Sequence, residues 1–272
     1  MNRYAVFSKA VLLSACWAAR APAQEVLLRF TPPVGSVVRY RTVTQTWTAG
    51  VSRDTTVPTT QLTMYTTRTV TGMDGTARVV TTVVDSTKNE MPGMGAMGAF
   101  AARMARDMMR GMTITQKIDE RGRILSSEVT PPQGMQAQAA QSSARNTGRV
   151  GPSLPERAVH PGDTWTDTMV SSSTAGRGQQ VETTILLTLK LERVEAQAGT
   201  RVALISMNGT VQVDSAGGAA RRGITSGTMT GEVTVALDTG RVTRTASDFN
   251  AVVQTERGTM PMRTKTVMEA LP

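Results

Sequence analysis

Through most of the chain, apolar and polar residues alternate with a period of two. Val37, Arg39, Arg41 and Val43 fall on one side of an extended segment, and Val38, Tyr40, Thr42 and Thr44 on the other. Thr, Val and Tyr suit a pleated, half-buried surface. Leu187, Leu189 and Leu191 make the cleanest apolar row, opposite Leu186, Thr188 and Lys190, and Met260, Met262, Thr264, Thr266 and Met268 make another. The alternating text occurs twice. In the first copy Gly35 leads into 37–48, then 61–70, the turn Met73-Asp74-Gly75, 77–84, an insert, 112–118, the turn Asp119-Glu120-Arg121-Gly122, and 124–129. In the second, Gly162 leads into 164–171, then 181–194, a turn near Gly199, 201–213, a shorter insert, 228–237, the turn Asp238-Thr239-Gly240, and 242–249. Adding a first strand at 26–30 and a closing pair near Ala251 and Val267 gives about ten to twelve strands, enough for a sheet to curl or close.

The pattern therefore predicts a mainly β protein. Its expected core is a large curved antiparallel sheet, a half-barrel or barrel, of two meander pseudo-repeats with one or two short helical inserts. One β domain covers 24–272, with pseudo-repeat one at 35–130, a linker at 131–161, pseudo-repeat two at 162–250 and closing strands at 251–271.

Two stretches interrupt the alternation. Met94, Met97, Phe100, Ala101, Met104 and Met108 recur at three and four, with Arg103, Arg106, Asp107 and Arg110 on the other side. This spacing predicts an amphipathic helix over 94–110, between the breaker Met91-Pro92-Gly93 and the stop Gly111. The Ala/Gln-rich stretch 134–145 is a weaker helix, followed by a Gly/Pro loop to Leu154-Pro155; 217–227, in the second copy, reads as a flexible loop. Four readings of the Met face stand side by side. It packs as a cap on the sheet; it forms an adaptable lid over a hydrophobic ligand or lipid; it touches a membrane surface; or Met91, Met94 and Met97, as M-x-x-M-x-x-M, offer thioethers to Cu(I). Under the lid reading Met94, Met97, Phe100, Met104 and Met108 contact the guest, and Leu187, Leu189 and Leu191 line the sheet beneath.

The N-terminus bears on where such a protein works. Arg3 and Lys9 precede an apolar run at 10–19, and Ala21-Pro22-Ala23 forms an A-x-A cleavage site, so 1–23 has the layout of a secretory signal. Leu13-Ser14-Ala15 before Cys16 also fits a lipoprotein box, which would make Cys16 a lipidated first residue. Both predict export, to the periplasm or the outer membrane. Later segments offer no run of about 20 apolar residues for a membrane helix. Cys16 is the single cysteine, so the folded part has no disulfide.

Removal of Arg3, Lys9 and Arg20 leaves 27 basic against 21 acidic side chains, a net charge of +6. The excess is spread along strands rather than gathered in a run, as in a solvated Arg/Thr face. Only 4% of residues are aromatic, too few for base-stacking platforms, and nucleic acid is not an expected partner. No Gly-rich phosphate loop is present.

Few catalytic constellations fit. His160 is the single histidine, so a His-based metal cluster is excluded within one chain and any Ser-His-Asp triad rests on it alone. The text 233–240 has the strand and D-T-G loop of aspartic proteases, but Arg241 would hold Asp238 ionised, and a tight hairpin explains Asp238 and Gly240. Asp163 and Asp167 are carboxylates with no specific positioning. No catalytic residue, cofactor or metal is assigned.

Pro161-Gly162-Asp163-Thr164-Trp165, with Leu154-Pro155 before it and the entry Phe30-Thr31-Pro32-Pro33-Val34-Gly35, resembles an uncharacterised family of exported bacterial β-rich proteins, over nearly the whole mature chain. That resemblance implies no activity and no site residues. A curved sheet with helical inserts is also loosely similar to the periplasmic lipoprotein-carrier half-barrel, an analogy of architecture. The expectation is an exported, non-enzymatic protein that binds a hydrophobic ligand or lipid under a Met-rich lid. The alternative is a structural or interaction module with a packed interior that meets envelope partners.

Overall fold

The computed structural model describes residues 25–50, 56–92, 98–131 apart from 101, 104, 105, 107 and 108, 151–175, 179–212 apart from 198, 223–255 and 258–272. Eleven strands form one antiparallel sheet: β1 Val37–Thr48, β2 Thr60–Asp74, β3 Ala77–Glu90, β4 Thr113–Ile118, β5 Ile124–Thr130, β6 Thr164–Ala175, β7 Gln179–Gln197, β8 Thr200–Gln212, β9 Gly223–Ala236, β10 Val242–Thr255 and β11 Gly258–Leu271. Their order is β5-β4-β3-β2-β1-β11-β10-β9-β8-β7-β6. Each half is a meander, and β11 joins them by pairing with β1, as in Val43 opposite Val267.

The half-barrel or barrel expected from the strand count does not form. β5 and β6 are the two free edges, and the substantial contacts between strands all run between sheet neighbours. β5, with 7 residues, is also shorter than β6 with 12, so the two edges do not match in length. Of the helical inserts, one short helix is described between β3 and β4, at 98–100, 102, 103, 106 and 109; 134–145 lies outside the described residues. The expected strand at 26–30 is reduced to a single bridge, Val26 to Val159.

Alternation gives the sheet two unlike faces. The inner face carries Leu187, Leu189 and Leu191 of β7, Ile205 and Met207 of β8 and Val233 and Val235 of β9, all buried. Two straps, 25–36 and 151–161, lie over this face near one end of the strands, and Val26, Leu28, Leu154 and Val159 join the same core. Phe30 packs against both this core and a smaller one of Val70, Val80 and Ile118. The straps pair across strand ends, not along a strand. The Phe30 N–H donates to Glu120 O at 2.7 Å, the Thr31 N–H to Thr239 O at 2.8 Å, and Arg29 Nη1 to Pro155 O at 2.8 Å. They thus bury apolar surface that a closing barrel wall would otherwise cover.

The Pro161-to-Trp165 motif fastens the second strap. Gly162, at φ 100°, sends its N–H to Leu191 O at 2.7 Å, Asp163 Oδ2 accepts from the His160 N–H at 2.9 Å, and the Trp165 indole donates to Ser153 O at 2.9 Å. The outer face is polar, with cross-strand ion pairs such as Arg41 to Glu269 at 3.1 Å and bonds such as Ser206 Oγ to Glu192 Oε1 at 2.6 Å.

Candidate functional site

At the strand ends away from the straps, a groove of about 610 Å³ opens where β1, β11, β10 and β9 run out and the chain returns into β2. Trp47, Val57, Val252 and Pro261 supply its apolar walls, and Thr59 and Arg263 contribute polar atoms. Register places one row of its lining on the outer face, Trp47 opposite Arg263, Arg263 opposite Asn250 and Asn250 opposite Thr228, while Met262, Ala251, Gly227 and Val211 belong to the inner-face row. The next row on the outer face is Pro261, Val252 and Ser226.

The first row continues across the sheet. Thr228 faces Thr210, Thr210 faces Leu186, and Leu186 faces Thr168. These residues line a second concavity of about 630 Å³, which shares Thr228 with the groove. Together they make a trough crossing seven strands from β1 to β6, roughly 29 Å at about 4.8 Å per strand step. A twisted sheet is saddle-shaped, so such a diagonal hollow needs no closure.

The trough has an apolar end and a hydroxyl-rich floor. At the apolar end Arg263 lies over the Trp47 ring, 6.0 Å from its centroid, within range of a cation–π contact. The same guanidinium donates to both carboxylate oxygens of Asp248, with Nε to Oδ1 at 3.0 Å. Arg263 raises no demand for a further counter-ion; it orients the ring. Thr59 closes the side of the groove through its hydroxyl bond to Thr46 O at 2.7 Å. On the floor Leu186 is 38% exposed, an apolar side chain among threonines.

Of the described residues predicted to contact a ligand, Leu187 borders the second concavity, and Leu189, Leu191 and Phe100 border neither hollow. Leu187, Leu189 and Leu191 are buried among Leu28, Leu154, Ile205 and Val233, so the chain's own strap covers them. Phe100 is 66% exposed. Met94, Met97, Met104 and Met108 lie outside the described residues. The described end of the helix packs by Met109 against Met64, Val84, Met112 and Ile114. Its anchor strand β3 is third in the sheet order and β7 is tenth, so this described end does not meet the Leu row. The trough residues escaped sequence reading because each comes from a different strand; the usable signal was Thr-x-Thr spacing on exposed faces, at 166 and 168 and at 228 and 230.

The other candidate chemistries sit on the surface or in turns. The Asp238 carboxylate accepts from its neighbour Thr239 Oγ1 at 3.2 Å in an exposed hairpin. His160 is exposed, with Nδ1 at 3.7 Å from Asp163 Oδ2, and Asp167 Oδ2 accepts the Ser153 N–H at 2.8 Å, holding the second strap. Among the described residues no three His, Cys, Asp or Glu side chains gather as a metal site, and no helix is long and apolar enough to cross a membrane. No protein-family model and no curated protein matches this sequence.

Proposed function

We propose that this chain is an exported, non-enzymatic binding protein of the cell envelope whose ligand is an elongated amphipathic molecule such as a lipid, seated in the trough. The observation that carries this reading is the uncovered apolar groove walled by Trp47, Val57, Val252 and Pro261 and continued by a threonine floor. Large exposed apolar hollows are uncommon on soluble proteins and mark binding sites. The apolar part of the ligand lies against Trp47, and its polar part meets the hydroxyls of Thr228, Thr210 and Thr168. The signal-like 1–23 and the resemblance of the Pro-Gly-Asp-Thr-Trp motif to exported β-rich proteins supply the compartment.

A second reading has its own support. β6 is a 12-residue edge strand with a single charge, Asp167, and no proline, and β5 carries only Glu128. Such edges are open to pairing with another chain, which suits an interaction module.

Native mass spectrometry of the protein purified from its own envelope, followed by organic extraction, separates the two. An apolar adduct that is lost in Trp47→Ala and Val252→Gln, and kept in Met97→Gln with Met104→Gln, supports the trough. Loss only in the Met variants returns the site to the helix, and a clean apo mass with co-purifying protein favours the edge-strand reading.

A further inference from the structure

Beneath the first strap, on the inner face, two arginines meet without a counter-ion. Arg68 projects from β2 beside Val38 of β1 and Thr82 of β3, and Arg241 comes from the turn into β10. Both line the same two small cavities, of about 40 Å³ and about 20 Å³, and Tyr40 and Phe30 line both as well. The Tyr40 hydroxyl donates to Val242 O at 2.9 Å, its ring crossing β11 at Ala270, which stands opposite Tyr40. Both cations lie close enough to this phenol to oppose the upward push that burial gives its pKa. Among the described residues neither guanidinium donates a hydrogen bond or pairs with a carboxylate, and Arg241 Nε is fully buried with no partner. Burial pulls the pKa of Arg68 down, as expected for a desolvated cation.

Two guanidiniums that share a cavity without a carboxylate are costly, because burial disfavours the Arg68 cation, the Arg241 Nε has no partner, and the like charges repel. Both side chains keep some exposure. Elsewhere in this chain arginines find partners, as Arg263 does in Asp248 and Arg41 in Glu269. The cavity walls are Phe30, Ile118 and Leu154, which supply no charge. We propose that the Arg68–Arg241 cavity is a binding site for a small carboxylate anion. A planar carboxylate matches the donor fork of a guanidinium. A space of about 40 Å³ holds roughly three water-sized positions, enough for a carboxylate group and little more. A bound anion would tie β2, β10 and the strap together, coupling the two halves of the sheet through one ion. The site is distinct from the trough, which shares none of its lining residues and whose threonine row lies on the opposite face.

Formate is the probe, replacing methanesulfonate at fixed ionic strength, since methanesulfonate is too large for the cavity. The expected result is a saturable rise in melting temperature with formate, together with saturation transfer from the protein to ¹³C-formate. Arg68→Met and Arg241→Met each weaken formate binding by at least about tenfold, the loss of one charge-assisted contact. In formate-free buffer at least one of the two melts no lower than the parent, because a buried unpaired charge has gone. Identical melting in formate and methanesulfonate without saturation transfer, or an unchanged formate midpoint in both variants, overturns the site. Hexanoate binding as tightly as formate overturns the restriction to small carboxylates.

Discussion

A Cβ added to Gly240 would stand 1.8 Å from the carbonyl oxygen of Arg29 and 2.7 Å from the amide nitrogen of Phe30. The β9–β10 turn and the first strap thus touch backbone to backbone, with Gly240 at φ 62°. The Asp-Thr-Gly text is in this way a seat for the strap, which bonds next door through the Thr31 N–H to Thr239 O. Gly240→Ala must displace the strap as well as occupy a left-handed conformation. It is expected to cost more than about 2 kcal/mol, read as a shifted urea midpoint. A loss under about 0.5 kcal/mol would mean that the strap does not lie there.

The strap also carries apolar weight. Leu28 is wholly buried and lies in one core with Leu189 and Leu191, although about 160 residues of chain separate them. Leu28→Ala is expected to cost about 2–5 kcal/mol, as for a residue of the sheet itself. Because Trp165 packs against that same core, its fluorescence should respond to the substitution. Equilibrium unfolding followed by Trp emission checks both; an unaltered midpoint would show the strap to be dispensable.

The strands were legible because each has a one-residue alternation, and most expected segments fall within the strands that form. Val37–Thr48 matches its expected bounds. Closure was not legible, since alternation along a strand says nothing about whether β5 reaches β6. In the sequence the straps look like a strand and a linker because their partners, Glu120, Thr239 and Pro155, are distant turn and loop groups with no periodic signature. Cross-strand assemblies were hidden for the same reason. Trp47, Arg263 and Asn250 become neighbours only once β11 inserts between β1 and β10, and Arg68 and Arg241 meet only when the two halves join.

Asp248 gives the outer face a pH dependence. Hydrogen bonds from Arg263 hold its carboxyl below the usual carboxylate range, helped by Lys265 and opposed by partial burial. A carboxylate whose pKa is lower folded than unfolded contributes stability that is fully present above the unfolded value, near 4, and is lost as pH falls through the folded one. Asp248→Asn should therefore lower stability at pH 7 by no more than about 1 kcal/mol, the range of an exposed ion pair. Its difference from the parent should shrink steadily below about pH 4. Urea titrations at pH 7 and through the acid range test the sign; a gap that widens on acidification contradicts it.

Leu186 and Leu187 are adjacent in β7 yet belong to opposite faces. Leu186 is 38% exposed on the trough floor, where it stands opposite Thr168 and Thr210. Leu187 is 1% exposed and lies over Gly209, whose absent side chain leaves room for it: a Cβ there would be 2.7 Å from Leu187 Cδ2. Since burial sets the cost of truncation, Leu187→Ala should destabilise by about 2–5 kcal/mol. Leu186→Ala should cost less, about 0.5–2 kcal/mol, because more than a third of its surface stays in water. Gly209→Ala should behave like the buried leucine, since its methyl group drives Leu187 out of its place. Three denaturation midpoints measured side by side decide the face assignment on which the trough rests. If Leu186→Ala proves the more damaging of the two leucine variants, β7 is turned over and the threonine floor faces inward.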